Sequence, residues 1–161
     1  MATAVVILLL CIGAFGVLAW MQVNKKTGGA PTQMPPVPVA AFAWPEIGNY
    51  DVEVVGESNY QPVLKALMGD PNDPEMDGKG TAILVPEDNN PYDNKAVKVT
   101  VQGFTIGYLS REDARSFRRR LSAKKLGMVP TSCSFEITGG YTLKDGSQAF
   151  YGAMLDLKPF D

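Results

Sequence analysis

The chain has 161 residues, of which 45% are apolar, and its formal net charge is −2. This length suits one modest globular domain with an appendage, and the charge gives no global basic field of the kind that attracts nucleic acid. The sequence contains no histidine and only two cysteines, Cys11 and Cys133, in unrelated contexts. A Ser-His-Asp triad, a Cys-His nucleophile and an ordinary zinc site are therefore excluded, and no disulfide framework is expected.

The N-terminal stretch "ATAVVILLLCIGAFGVLAWMQV" carries no charged side chain, and the first charges are Lys25 and Lys26. At about 1.5 Å of helix rise per residue, about 20 residues cross a hydrocarbon core of about 30 Å. The sequence therefore predicts a transmembrane anchor over residues 1–24, with a cleaved signal peptide and lipidation at Cys11 as alternatives. The two lysines predict a single-pass protein of the cell membrane whose C-terminal domain is cytoplasmic.

Residues 25–46 are predicted to form a linker, because "TGGAPTQMPPVPVAAFAWPE" contains five prolines and hardly any charge. Such a composition is typical of a semi-extended spacer of the polyproline type. We expect Trp44 to dock on the domain that follows, since a lone exposed tryptophan is uncommon. The globular domain is then assigned to residues 47–161.

Short strands interrupted by two helices are predicted from Tyr50 onward. The predicted strands lie in the segments 50–56, 80–87, 95–109 (two strands joined at a turn containing Gly103) and 132–157 (two strands joined at Asp145-Gly146). Alternating apolar residues and turn signals are the basis for these assignments. Six strands with two helices in this order predict a mainly β (α+β) domain, built as a small, strongly bent sheet or a partly open barrel.

The two predicted helices have clear end signals. The first covers "PVLKALMG", from Pro62 to Gly69. The second covers "SREDARSFRRRLSAKKLG", with Ser110 as its N-cap and Gly127 at its end. Its apolar residues recur on one face, which predicts a buried stripe of Ala114, Phe117 and Leu121.

A polar cluster, "NNPYDNKAV", precedes one of the central strands. Asn89, Asn90 and Pro91 are typical of a turn that starts a strand. Tyr92 and Asp93 also fit a binding site, because an aromatic ring beside a carboxylate can stack a flat ligand and accept a hydrogen bond from it. From the residues alone, the turn and the binding site both remain open.

Four segments in order give the chain a resemblance to a known family. They are "VVGESNYQ" (54–61), "LVPEDNNPYDNKAVKV" (84–99), "IGYLSRED" (106–113) and "LDL" (155–157). Together they resemble the HIRAN domain over residues 50–157. The resemblance implies a modified, six-stranded OB-like β-barrel that binds single-stranded DNA, especially its 3′ end.

The same resemblance implies a binding pocket, in which aromatic rings lie against bases and an acid lies near the terminal 3′-hydroxyl. By position, the residues implied are Tyr60, Asn89, Asn90, Tyr92 and Asp93. The chain departs from the family pattern at Lys95, where an asparagine is usual, and at Ser58-Asn59, where animal members place Arg-Tyr. The second departure removes a cation and a stacking ring, which predicts weaker binding to strand ends.

Seven of the fifteen basic residues lie on the second predicted helix. They are Arg111, Arg115, Arg118, Arg119, Arg120, Lys124 and Lys125. A solvated helix face, a track for DNA phosphates and a contact with anionic lipid all fit such a run. The DNA interpretation assigns Arg118, Arg119 and Arg120 to the nucleic-acid-binding site.

No enzyme chemistry is expected from the remaining motifs. The acidic segment "DPNDPEMDGKG" (70–80) resembles the start of a calcium loop, but Leu84 stands where the loop needs Glu, so no metal site is predicted. No G-x-x-x-x-G-K-[ST] motif occurs, and no cofactor is expected. We therefore predict a membrane-tethered module that binds single-stranded DNA or its 3′ end without catalysis. A separate DNA-processing enzyme is a candidate partner.

The alternative function is a membrane-anchored protein-interaction module that uses the same barrel. Binding to free DNA ends would favour the first function, and partner binding that is insensitive to Tyr92 would favour the second. The sequence leaves the oligomeric state open.

Overall fold

A computed structural model describes residues 36–69 and 78–160. The predicted anchor (1–24), half of the predicted linker (25–35) and most of the acidic segment (70–77) lie outside the described residues. In the two described ranges, no helix combines the length and the apolar character that a membrane span requires.

The described residues form one strongly bent sheet. Its strands are β1 (Phe42–Ala43), β2 (Val52–Glu53), β3 (Lys79–Pro86), β4 (Val97–Val101), β5 (Phe104–Tyr108), β6 (Thr131–Gly139) and β7 (Tyr151–Leu155). Six of them pair antiparallel in the order β2-β7-β6-β3-β4-β5, while β1 pairs parallel with the start of β6. The sheet is a half-barrel, which confirms the predicted mainly β domain of six strands and two helices. The short strand β1 was not predicted.

The strands follow the alternation in the sequence. Along β6, Thr131, Cys133, Phe135 and Ile137 are buried, while the residues between them are half-buried. Such a period of two places one face of the strand against the core. The turn between β4 and β5 has positive φ at Gln102 (52°) and at Gly103 (85°), which suits the tight hairpin predicted there.

Two helices and a 3-10 turn cover the sheet. The 3-10 turn is Glu57–Tyr60, α1 is Gln61–Met68 and α2 is Arg111–Ala123. Ser110 caps α2 as predicted, because its Oγ accepts a hydrogen bond from the Asp113 amide at 3.1 Å. The predicted stripe of Ala114, Phe117 and Leu121 is buried. The helix ends four residues before Gly127.

The two ends of the sheet meet at one residue pair. The Val55 amide donates to the Tyr108 carbonyl at 2.8 Å, and the Tyr108 amide donates to the Val55 carbonyl at 2.9 Å. The neighbouring Gly107 has φ 153°, and a Cβ at that position would lie 2.5 Å from Val54 Cγ1. Only glycine permits this close approach of the two sheet ends.

The end of the predicted linker is part of the domain. The Ala41 amide donates to the Pro130 carbonyl, and the Trp44 amide donates to the Ser132 carbonyl, both at 2.8 Å. The indole Nε1 of Trp44 donates to Thr131 Oγ1 at 2.9 Å. The indole ring packs near Phe117, with the ring centroids 5.9 Å apart. The predicted docking of Trp44 is confirmed.

A buried carboxylate, Asp156, fixes the first loop of the domain. Its Oδ2 accepts hydrogen bonds from the amides of Ile47 (2.8 Å) and Gly48 (2.9 Å), and its Oδ1 accepts from the Asn49 amide (3.1 Å). Burial alone would raise the pKa of Asp156, but these backbone donors lower it below its ordinary value. The charged carboxylate is therefore the form that the fold stabilises.

Asp156→Asn should reduce the free energy of unfolding at neutral pH by about 1.5–3 kcal/mol, because its amide nitrogen would face a backbone donor. The folded pKa of Asp156 is lowered, so its stabilising effect is complete above the unfolded pKa and is lost as the pH falls through the folded pKa. Urea denaturation between neutral pH and about pH 3 would measure both effects. An identical pH dependence in the wild type and the variant would contradict this account.

Candidate functional site

The polar cluster lies in the segment between β3 and β4 (residues 87–96), which we call the loop. Asn90 organises the turn within this loop. Asn90 Oδ1 accepts from the amides of Tyr92 (3.0 Å) and Asp93 (3.3 Å), and its Nδ2 donates to Glu87 Oε2 (2.9 Å). Glu87 also pairs with Lys98 at 2.6 Å. Burial alone would raise the pKa of Glu87, but the hydrogen bonds from Lys98 and Asn90 lower it. Asn90 therefore acts on the loop itself, as a residue that fixes a turn.

Asp93 has a second set of contacts in the same loop. Its Oδ1 accepts from the Lys95 amide at 2.9 Å, and its Oδ2 lies 3.5 Å from Arg115 Nη1 and 4.0 Å from Arg111 Nε. The pKa of Asp93 is lowered, first by the hydrogen bond from the Lys95 amide and then by the two arginines. Asp93 is thus an ionised acceptor at neutral pH, and its side chain is 12% exposed.

The Tyr92 ring points into solvent from this fixed turn. Its side chain is 87% exposed, whereas its carbonyl accepts a hydrogen bond from Arg111 Nη2 at 3.4 Å. The neighbouring Asn89 is also exposed. The backbone of Tyr92 is fixed and its ring is exposed, so the ring offers a flat surface on which a ligand can stack.

Tyr60 and Asn90 come together through Tyr108. The phenol of Tyr108 interacts with the side chains of both residues, although they are 30 positions apart in the chain. The pKa of Tyr108 is raised, mainly by burial and further by Glu87 and Tyr60. Sequence reasoning missed Tyr108 as a site residue. Its place at the end of a strand, two residues before the helix cap Ser110, was the available signal.

Arg118 is a buried side chain that joins α2 to the loop. Its Nε donates to the Lys95 carbonyl at 2.8 Å, and its Nη2 donates to the Ala96 carbonyl at 3.1 Å. Its Nη1 donates to Asp88 Oδ1 at 2.7 Å. Only 6% of the residue is exposed. These contacts give Arg118 a structural role, and its predicted contact with DNA stays a prediction.

The next two arginines lie in different surroundings. Arg119 is exposed and donates to Ser116 Oγ at 2.7 Å. Arg120 donates to the carbonyls of Lys158 and Pro159, both at 2.7 Å, and its guanidinium lies 4.4 Å from the centroid of the Phe160 ring. Three consecutive helix positions point about 100° apart, so these arginines do not form one surface.

An open groove lies between α2 and the loop, and we call it the cationic groove. It is lined by Asp88, Lys95, Arg115, Arg118, Arg119, Ser122 and Met128. Four of these side chains are cations and one is an anion, so the lining carries a charge of 4 − 1 = +3 in a chain whose net charge is −2. Arg115 and Arg119 are four residues apart, a spacing that predicts a shared helix face. Arg118, Arg119 and Arg120 were grouped in the prediction instead, because they are consecutive.

A family model of the HIRAN domain matches residues 47–138, which is more than half of the chain. The chain belongs to the HIRAN domain family. The HIRAN domain is a nucleic-acid-binding domain, and the matched range contains Tyr60, the loop and α2. No curated protein and no solved structure matches the chain.

Arg118→Met should lower the free energy of unfolding by about 2–4 kcal/mol, because the carbonyls of Lys95 and Ala96 would lose their donor. Arg119→Met is the matched control, and its exposed position predicts a change within about 0.5 kcal/mol. Chemical denaturation followed by tryptophan fluorescence would compare the two variants. Equal stability of the two variants would show that Arg118 does not hold the loop.

Proposed function

We propose that this HIRAN domain binds single-stranded DNA at Tyr92 and favours a free 3′ end. The observation that carries the proposal is the exposed Tyr92 ring on a turn whose backbone is fixed. Stacking of a base on such a ring is worth about 1–3 kcal/mol, and it is tolerant of sequence because every base has a π-face.

Two cations beside the ring support a nucleic-acid ligand. Arg111 and Arg115 flank the loop at Tyr92 and Asp93, and their side chains are 76% and 47% exposed. A phosphate next to a stacked base can therefore reach a guanidinium without a rearrangement of the turn. Contacts of this type position a strand without reading its sequence.

Asp93 supports the preference for an end. A carboxylate repels the phosphates of a continuous strand, but it can accept a hydrogen bond from a terminal hydroxyl. The Lys95 amide occupies Oδ1, and within residues 36–69 and 78–160 the contacts of Oδ2 are the long ones of 3.5 Å and 4.0 Å with the two arginines. A hydroxyl can thus be accepted at Oδ2 while the turn is retained.

The domain is further proposed to act by binding alone, as the histidine-free sequence leads us to expect. A protein-interaction module is the second candidate, and the exposed side chains of Tyr141, Leu143 and Phe150 between β6 and β7 favour it. Exposed apolar clusters of this kind are common at protein interfaces. Partner binding that survives Tyr92→Ala would favour this second function.

Tyr92→Ala should weaken binding of an oligothymidylate by about 1–3 kcal/mol, whether its 3′ end is free or phosphorylated. Both ligands lose the same stacking surface, so their affinities should fall together. Fluorescence anisotropy with labelled strands would measure the two dissociation constants. Unchanged affinity for both strands would remove Tyr92 from the site.

Asp93→Asn should act differently from Tyr92→Ala. The variant keeps an oxygen for the Lys95 amide, but it loses the charge that repels phosphate and holds Arg111 and Arg115. Affinity for 3′-phosphorylated strands should therefore rise relative to that for free 3′-hydroxyl strands. The ratio of the two dissociation constants is the measured quantity, and an unchanged ratio would exclude end recognition by Asp93.

We also propose that residues 1–24 tether the domain to the cell membrane, with the domain on the cytoplasmic side. The uncharged N-terminal run and the lysines that follow it support this proposal. Protease treatment of intact and permeabilised cells should degrade the domain only after permeabilisation. Degradation in intact cells would place the domain outside, away from cytoplasmic DNA.

A further inference from the structure

The cationic groove begins beside the proposed stacking site. Arg111 contacts the carbonyl of Tyr92, Arg115 contacts the carboxylate of Asp93, and Arg118 contacts the carbonyl of Lys95. The loop and α2 therefore run side by side in the same direction. A ligand that starts at Tyr92 can follow the groove toward Arg119, Ser122 and Met128.

The arginines along this path are spaced by single helical turns. Arg111, Arg115 and Arg119 are each four residues apart, so they share one face of α2 with about 6 Å of axial rise per step. Lys95, which belongs to the loop, lines the side of the groove that faces these arginines. A row of cations with a facing cation suits an extended polyanion better than a single small anion.

The charges in the groove are not equally available. Arg118 is paired with Asp88 at 2.7 Å, and Arg115 shares Asp93 with Arg111. Lys95 and Arg119 are exposed, and no carboxylate in residues 36–69 or 78–160 forms a salt bridge with either of them. These two side chains can therefore contact a phosphate without giving up an ion pair.

We propose that the cationic groove binds the sugar-phosphate backbone of the nucleotides adjoining the one stacked on Tyr92, with Lys95 and Arg119 contacting phosphates. This inference rests on the proposed function and deepens it, because it specifies the class of ligand. A mononucleotide or dinucleotide stacked on Tyr92 does not extend along the groove. The preferred ligand is then a strand of several nucleotides.

The test measures the affinity of the full-length chain in detergent for thymidine dinucleotide and for an oligothymidylate of about eight nucleotides, over a range of salt concentrations. Lys95→Ser and Arg119→Ser should each reduce the magnitude of the slope of log K against log salt by about 0.7 for the longer strand. The dinucleotide should bind these variants as it binds the wild type. Tyr92→Ala should weaken the binding of both ligands.

Lys158→Ser is the control, because Lys158 is an exposed lysine that does not line the groove. Its salt slope should equal that of the wild type. If the salt slopes of Lys95→Ser and Arg119→Ser both equal that of Lys158→Ser, the groove proposal is overturned. A retained effect of Tyr92→Ala in that case would leave the proposed function standing.

Two further outcomes of this experiment would lead to different conclusions. Wild-type protein that binds neither ligand would overturn the proposed function and the groove proposal together. If Arg119→Ser weakens adsorption to vesicles containing phosphatidylserine but leaves the oligothymidylate slope unchanged, the groove is a lipid contact and the proposal is wrong. Vesicles of phosphatidylcholine alone are the control for that comparison.

Discussion

Arg118 carries a positive charge into the protein interior, and the position of the loop depends on that charge being satisfied. Transfer of a guanidinium out of water costs several kcal/mol unless hydrogen bonds and an opposite charge compensate it. Here the compensation comes from two carbonyls and one carboxylate of the loop. Separation of the loop from α2 would remove these partners from Arg118, so this contact holds the loop that presents Tyr92 against the helix.

Opposite charges alternate along the surface that this contact creates. Asp93 separates Arg111 from Arg115, and Asp88 neutralises Arg118. Asp93 is adjacent to Tyr92 in the chain, whereas Asp88, Lys95 and Arg119 line the groove. In the proposed function, this arrangement would place a hydroxyl acceptor at one end of the bound strand and phosphate contacts at the other, so the strand would be held in one orientation.

Local patterns in the sequence were informative where neighbouring residues determine the structure, whereas only the family resemblance placed the distant residues Tyr60 and Asn90 in one site. The cap at Ser110, the stripe through Phe117 and the glycine turn at Gly103 follow from nearest-neighbour rules, and all three were predicted. The contact of Tyr60 and Asn90 through Tyr108 requires the sheet to bend until its ends meet. Rules that relate neighbouring residues to local structure do not predict that the two ends of the sheet meet.

The three arginines illustrate the same limit. Their adjacency in the sequence predicted a shared role, whereas helix geometry assigns them to the loop, to solvent and to the C-terminal segment. The strand β1 was missed because two residues in a proline-rich stretch carry too short a pattern. Its partner β6 lies almost 90 positions away, and the hydrogen bonds of Ala41 and Trp44 together with the packing of the Trp44 ring hold the pairing.

The attachment of the chain at Ala41 also has a mechanical consequence. A pull on the chain before that residue would first load the hydrogen bonds to Pro130 and Ser132, and next the three amides held by Asp156. Tyr60 and the loop come later along the chain and are held to the sheet and α2 by separate contacts. Tension from a tether would thus act first on the contacts of Ala41, Trp44 and Asp156, and only afterwards on the surface that carries Tyr92.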